Sequence, residues 1–424
     1  MSANRRQFLK ASLAASTLVS LGPTLPSFLA QTAQAAAPRR NAKDTILVVV
    51  QLAGGNDGLN TVVPHGDDRY APARPTLRLE TARLHKIDHL VGFHPERLAF
   101  ARLFREGLAS VVQGVGYPNP HQGHFESMHV WQTARLPGSP GQTGWIGRAA
   151  DHLHRPDNTR AMAVYVGRIG TPFAVNARRA TVPTVRSIED CLFREPPPTA
   201  PDGPAPARPG GKSTRPNAAR PEPLEPLGDF VRRSTLAAHA SHRQIEEVTR
   251  AETRPAAYPP SQVAQMFQIV ARLIRADLGI RIFYTELGGQ EPGGFDTHAN
   301  QAANHGALLR QLSESVAALV EDLKRDRLLD RVVLMTFSEF GRTVQENGRR
   351  GTDHGSAAPV FLAGGKLQGG MIGTHPALDP LENGGQKHHT DFRRLYATLL
   401  DQWLGFDSRA ILGEKFAPVG ILRG

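Results

Sequence analysis

Carboxylates and imidazoles recur in short, glycine-flanked stretches of this chain. Asp296 and His298 stand in GGFDTH, Glu339 and Arg342 in TFSEFGR, and Asp353 and His354 in GTDHG. Asn56 and Asp57 lie in AGGNDGLN, while Asn119, His121, His124, Ser127 and His129 crowd into NPHQGHFESMHV. Imidazole nitrogen and carboxylate oxygen together suit Zn²⁺, Mn²⁺ or a similar divalent ion that keeps positions open for water or substrate. Each pair alone also has a plainer reading. Asp57 is equally a turn residue bonding nearby backbone, Asp296 and His298 a structural pair, Glu339 a helix cap or surface acid, and Asp353 with His354 a loop hydrogen bond. Their shared placement after apolar runs is what separate accidents explain poorly.

Those runs are the elements that must position them. TILVVVQLAGG at 45–55 is β-branched, short and ended by glycines, which predicts a strand buried on both faces. Further strands are expected at 110–115, 280–286, 331–337 and 359–365. Between them lie helical patterns. Pro95 suits a first helical turn, with Leu98, Ala101 and Phe104 on one face and Gly107 as stop. Ser261 N-caps a helix carrying Val263, Phe267, Val270, Leu273, Ile274 and Leu278 up to Gly279. A long helix is expected from His305, and DFRRLYATLLDQWLG closes at Gly405. Helices alternating with apolar strands predict a three-layer α/β/α fold with a mainly parallel sheet. Ligands of such sheets bind beyond the carboxyl ends of the strands, where these polar stretches fall.

The ends and the bulk set further bounds. The opening MSANRRQFLKASLAASTLVS has paired arginines, a weakly apolar stretch and then Ala-rich AQTAQAAAP. This predicts a twin-arginine signal peptide over 1–37, passage through the twin-arginine export machinery, and a periplasmic or extracellular mature chain. Gly22, Pro23 and Pro26 interrupt the segment, which falls short of the ~20 apolar residues of a membrane span, so no transmembrane span is expected in the mature chain. Loss of Arg5, Arg6 and Lys10, with no acid, lowers the formal charge from +11 to +8. A basic surface favours anionic partners, but scattered arginines without aromatic interleaving exclude a dedicated nucleic-acid module. The single cysteine, Cys191, rules out an intrachain disulfide and a Cys-rich metal site. Residues 195–227 hold eleven prolines and predict a disordered insertion within one domain over 38–424. A Pro-rich ligand for a partner is the alternative there.

Taken together, AGGNDGLN, PNPHQGHFESMHVWQTA, TGWIGR, GGFDTH, TFSEFGRTVQENGRRGTDHG and TDFRRLYATLLDQWLG resemble the DUF1501 family over nearly all of the mature chain except the Pro-rich stretch. That family is similar in turn to the alkaline phosphatase and sulfatase superfamily. The resemblance implies an alkaline phosphatase-like α/β domain with one or two divalent ions, expected as Zn or Mn, acting on an anionic ester substrate. It places Asp57, Asp296, His298, Glu339 and His354 on metal, with Asp353 orienting His354. Arg342 would neutralise the anionic group, Ser127 lies near the expected nucleophile, and His124 or a water polarised by the metal would serve as base or nucleophile. Two departures stand out: Phe340 occupies the position of a ligand histidine, and Gly123 occupies the expected nucleophile position. The implied function is a secreted metal-dependent hydrolase of phosphate or sulfate esters; the alternative is a catalytically degenerate protein with a binding or envelope-assembly role. An oxidoreductase is disfavoured, because no G-x-G-x-x-G follows the first strand.

Overall fold

A computed structural model describes residues 44–139, 141–154, 161–168, 170–187, 256–288 and 294–423. The expected leader over 1–37, the Pro-rich stretch over 195–227 and Cys191 lie outside the described residues. Strand β1 (Ile46–Ala53) is buried along its whole length, as a non-alternating β-branched run requires. Val48, Val50 and Leu52 belong to one apolar layer, and Leu47 and Val49 to the opposite one. The remaining strands of the sheet are β2 (Ala109–Gly116), β3 (Ala163–Val166), β4 (Thr184–Val185), β5 (Ile282–Gly288), β6 (Val332–Phe337), β7 (Ala358–Gly364), β8 (Gly370–Ile372) and β9 (Thr390–Asp391). Their order is β8-β2-β7-β6-β1-β5-β3-β4, with β9 beside β2.

Pairing is parallel throughout except at β7, which runs antiparallel to both β6 and β2. This one reversal positions the site. The chain leaves the sheet at the end of β6 and re-enters at the start of β7 on the same edge, so SEFGR and GTDHG both lie over the carboxyl ends of β1 and β5. An all-parallel sheet would have carried GTDHG to the far edge. The expected mainly parallel sheet is therefore observed, with the exception placed where it serves the loops.

Helices α1 (Leu98–Arg105), α4 (Gln262–Arg275) and α5 (Gln301–Arg325) cover one face through Phe100, Leu103, Phe267, Val270, Leu312 and Val316. Helices α2 (His124–Thr133), α3 (Trp145–Leu153) and α6 (Phe392–Thr398) cover the other through Val130, Trp131, Trp145, Leu395 and Tyr396. The Ser261 hydroxyl accepts from the Ala264 amide at 3.3 Å, so the predicted N-cap forms. The predicted face of α1 is corrected. Leu98 is 60 % exposed, whereas Phe100, Ala101 and Leu103 are buried, because a 3₁₀ turn over Pro95–Arg97 precedes the helix and rotates its apolar stripe. Helix α5 begins four residues before His305, and α4 ends at Arg275, ahead of Gly279. Among the described residues no helix is long and apolar enough to cross a membrane.

Candidate metal centre

Four loops meet at the carboxyl edge of the sheet. Gly54 and Gly55 follow β1, Asp296 and His298 follow β5, Glu339 to Arg342 follow β6, and Asp353 and His354 precede β7. Close approach depends on glycine. Gly54 has φ +112°, and a Cβ there would lie 2.3 Å from the Asp296 amide nitrogen, so a side chain would push the β1 and β5 loops apart. Gly351 presses in the same way on the backbone of His298, where a Cβ would meet the carbonyl carbon at 2.2 Å.

The chemistry concentrates at Asp296. Its Oδ1 lies 3.0 Å from His298 Nε2 and 3.1 Å from His354 Nε2, and these two nitrogens are 3.0 Å apart. The other ring nitrogens are already engaged. His354 Nδ1 lies 2.6 Å from the Gln122 carbonyl, and His298 Nδ1 lies 2.9 Å from Asp353 Oδ1. A carbonyl or carboxylate can only accept, which assigns the proton to Nδ1 in both rings and leaves both Nε2 lone pairs facing Asp296. Asn347 donates to Asp353 Oδ1 at 3.0 Å and to the His298 carbonyl at 3.1 Å, fixing that arm of the cluster. Hydrogen bonds from His298 and Asn347 hold the Asp353 carboxyl below its ordinary range.

His124, at the start of α2, bridges the carboxylates. Its Nδ1 lies 3.0 Å from Glu339 Oε1 and its Nε2 3.4 Å from Asp296 Oδ2. Hydrogen bonding to Asp296 and Glu339 pushes its pKa up to about 9, against the opposing effect of burial. Burial tends to raise the Asp296 pKa, yet hydrogen bonds from His124 and Arg342 and the charge of Arg342 outweigh it and hold the carboxyl well below the usual range. Glu339 is buried and also accepts from the Gly54 amide at 2.8 Å. His124, Asp296 and His354 offer ligand atoms within 4.8 Å of one another, and His298 Nε2 lies 3.0 Å from both Asp296 Oδ1 and His354 Nε2.

Four expected roles are not met by this geometry: Asp353 pairs with His298 and does not orient His354, whose Nδ1 faces the Gln122 carbonyl, and three further residues are engaged elsewhere. Asp57 is fully buried, with its carboxylate bound by Arg74 at 2.6 and 3.1 Å and by Gln301 at 2.5 Å. Its charge is already matched inside the fold, and the structure does not bring it into the cluster. Arg342 binds Asp296 Oδ1 at 2.6 Å, but its fully buried guanidinium also donates to the carbonyls of Gly54, Gly55, Phe295 and Thr352. It clamps the β1 and β5 loops and does not face a solvent-borne anion. The Ser127 hydroxyl is buried, donating to the His121 carbonyl at 2.7 Å and pairing with the Tyr117 hydroxyl at 3.1 Å. It is no free nucleophile. Phe340 is buried and stacks on His354, with centroids 4.3 Å apart, and lies 5.1 Å from His124. Where the resemblance expects a ligand, an apolar wall stands instead.

Sequence reasoning did not single out Gln122 or Arg74. Gln122 orients His354 through a backbone carbonyl, a group every residue carries, and its amide donates to the His354 carbonyl at 2.8 Å. Arg74 lies in the Ala- and Pro-rich stretch YAPARPT, where nothing in composition marks a buried ion pair.

Fold and cluster define an α/β protein with a carboxylate and imidazole centre at its strand ends. Residues 212–417 match the family model described as protein of unknown function (DUF1501). The matched part holds GGFDTH, SEFGR, GTDHG and TDFRRLY, while AGGNDGLN and HQGHFES lie ahead of it. No curated protein matches the chain. Solved structures similar to it include a protein in the alkaline phosphatase superfamily from Vibrio parahaemolyticus, at 8% identity, covering 93% of this chain and 78% of that one, TM-score 0.37. The PsFucS1 sulfatase from Pseudoalteromonas sp. is similar at 9% identity, covering 93% and 74%, TM-score 0.37. The C-terminal periplasmic domain of EcEptC from Escherichia coli, in complex with Zn, is similar at 10% identity, covering 76% and 72%, TM-score 0.36. Likenesses this distant do not bear on what the chain does.

Proposed function

We propose that Asp296, His298 and His354 hold a divalent ion, Zn²⁺ or Mn²⁺, and that the protein is a metal-dependent hydrolase of phosphate or sulfate esters acting outside the cytoplasm. One observation carries this reading: two imidazole nitrogens lie 3.0 Å from each other and 3.0 and 3.1 Å from the same Asp296 carboxylate oxygen. Lone pairs at that distance repel unless a cation or a proton lies among them, and two nitrogens with a carboxylate oxygen form a donor set that divalent zinc or manganese accepts. Asp353 and the Gln122 carbonyl would orient the two rings, as the partners of ligating histidines do. The ion, when bound, would supply Lewis-acid polarisation of an ester oxygen.

The remaining chemistry belongs to the chain. His124 holds a proton between Glu339 and Asp296 and stands at the cluster, placed to hand it to a leaving oxygen. Glu339, buried and anchored by the Gly54 amide, keeps that imidazole in position. The basic surface would draw an anionic ester toward the edge of the sheet. Export by the twin-arginine route follows from the leader motif and is part of the proposal.

A second reading, a non-catalytic binding or envelope-assembly protein, draws support from the engagement of Arg342 and Ser127 in structural hydrogen bonds. Aryl phosphate and aryl sulfate assays on zinc- or manganese-loaded protein separate the two. Hydrolysis is expected, with kcat lowered roughly 10²- to 10⁴-fold in His124→Gln, the range for loss of a general acid. Metal-loaded protein that turns over neither ester class would abandon the hydrolase for the binding reading.

A further inference from the structure

Arg97 is fully buried, at 0 % relative exposure, and its Nε and both terminal nitrogens have no hydrogen-bond partner among the described residues. It ends the 3₁₀ turn before α1. Two mutually perpendicular aromatic rings flank the guanidinium, with Cζ 4.2 Å from the Phe100 centroid and 4.0 Å from the Phe361 centroid, while Phe93 lies farther off at 5.8 Å. Contacts of this kind stabilise the cation through the ring faces. They leave the in-plane N–H groups, five donors in all, without acceptors. His94, three residues earlier, already uses its acceptor Nδ1 for the Glu96 amide at 3.1 Å.

We infer that the in-plane edge of Arg97 binds a small monovalent anion, a halide such as chloride, as a built-in structural ion. A buried charge without a counter-ion costs several kcal/mol, and a water molecule would satisfy the donors while leaving the charge unmatched. Burial lowers the Arg97 pKa only to about 9, so the group remains cationic at neutral pH. In so closely packed an apolar setting a compact ion needs less room than a tetrahedral oxyanion. Asp57, the nearest acid along the chain that is equally buried, is already paired with Arg74.

The test uses the full-length protein and halide salts. Thermal midpoints are measured at fixed ionic strength as sodium sulfate is exchanged for sodium chloride or bromide, for the native protein and for Arg97→Met, which keeps an unbranched apolar side chain. Crystals are soaked in bromide and read by anomalous scattering. The native midpoint is expected to rise with the logarithm of halide concentration, as binding to the folded state requires, to be flat in Arg97→Met, and to be accompanied by a bromide peak beside the guanidinium. A bromide peak with no halide dependence of the native midpoint would mark an adventitious ion only and overturn the inference. So would a halide-dependent midpoint with no peak at Arg97, or neither effect, which would assign water to the donors. Should Arg97→Met fail to fold, the native midpoints and the bromide peak still decide.

Discussion

At the scale of single residues, the cluster separates groups that would touch an ion from groups that hold those groups still. Asp353 belongs to the second kind, since its Oδ1 reaches His298 Nδ1 and nothing further into the cluster. Asp353→Asn is expected to weaken zinc binding about 10- to 100-fold, the effect typical of losing a partner behind a ligating histidine, as titration calorimetry would measure. Undiminished affinity would deny Asp353 this part. Asp57 makes a different prediction, of stability. Burial would raise its pKa, but the charge and hydrogen bonds of Arg74, aided by Gln301, hold it far below the carboxylate range. A group with a depressed folded pKa stabilises the fold above its unfolded pKa, and that contribution is lost as pH falls toward the folded value. Asp57→Asn is therefore expected to cost about 3–5 kcal/mol near neutral pH by leaving Arg74 unmatched, and less below about pH 4, where unfolded carboxyls begin to protonate. Denaturant unfolding at several pH values checks both parts, and an equal penalty at pH 7 and pH 3 would contradict the account.

Elements decide whether these residues meet. The apolar runs at 45–53, 110–115 and 331–337 were legible as strands because β-branched residues without alternation leave little choice, and the Ser261 cap was legible because its hydroxyl has one obvious use. The direction of β7 was not, since an apolar run carries no arrow; only the pairing with β6 and β2 reveals it. That strand explains why GTDHG, rather than any partner nearer in sequence, returns beside GGFDTH. GGFDTH, SEFGR and GTDHG were readable as site loops from residue type and position. The clamp by Arg342 and the burial of Ser127 were not, because hydrogen bonds to backbone carbonyls leave no trace in side-chain spacing. Gly54 tests the meeting of the loops. Gly54→Ala places a Cβ against the Asp296 amide at a backbone angle that L-residues rarely adopt, and is expected to lower the thermal midpoint and abolish zinc binding together. A stable variant with native zinc affinity would show that the loops do not need this contact.

For the molecule as a whole, sheet direction, glycine contacts and buried polar clamps all bring four loops to one edge, where Asp296, His298 and His354 face each other. The departures from the family resemblance lie in the same place. Phe340 walls the cluster, and Asp57 serves the interior. What remains at the edge is a compact centre suited to one ion. The most direct test is the metal content of the full-length protein purified without chelator and then dialysed against zinc or manganese, set beside His298→Ala and His354→Ala. Close to one ion per chain is expected in the native protein, with loss of binding in both variants whose folds are intact by circular dichroism. Native protein that stays metal-free after dialysis, or variants that keep a full equivalent, would contradict the account.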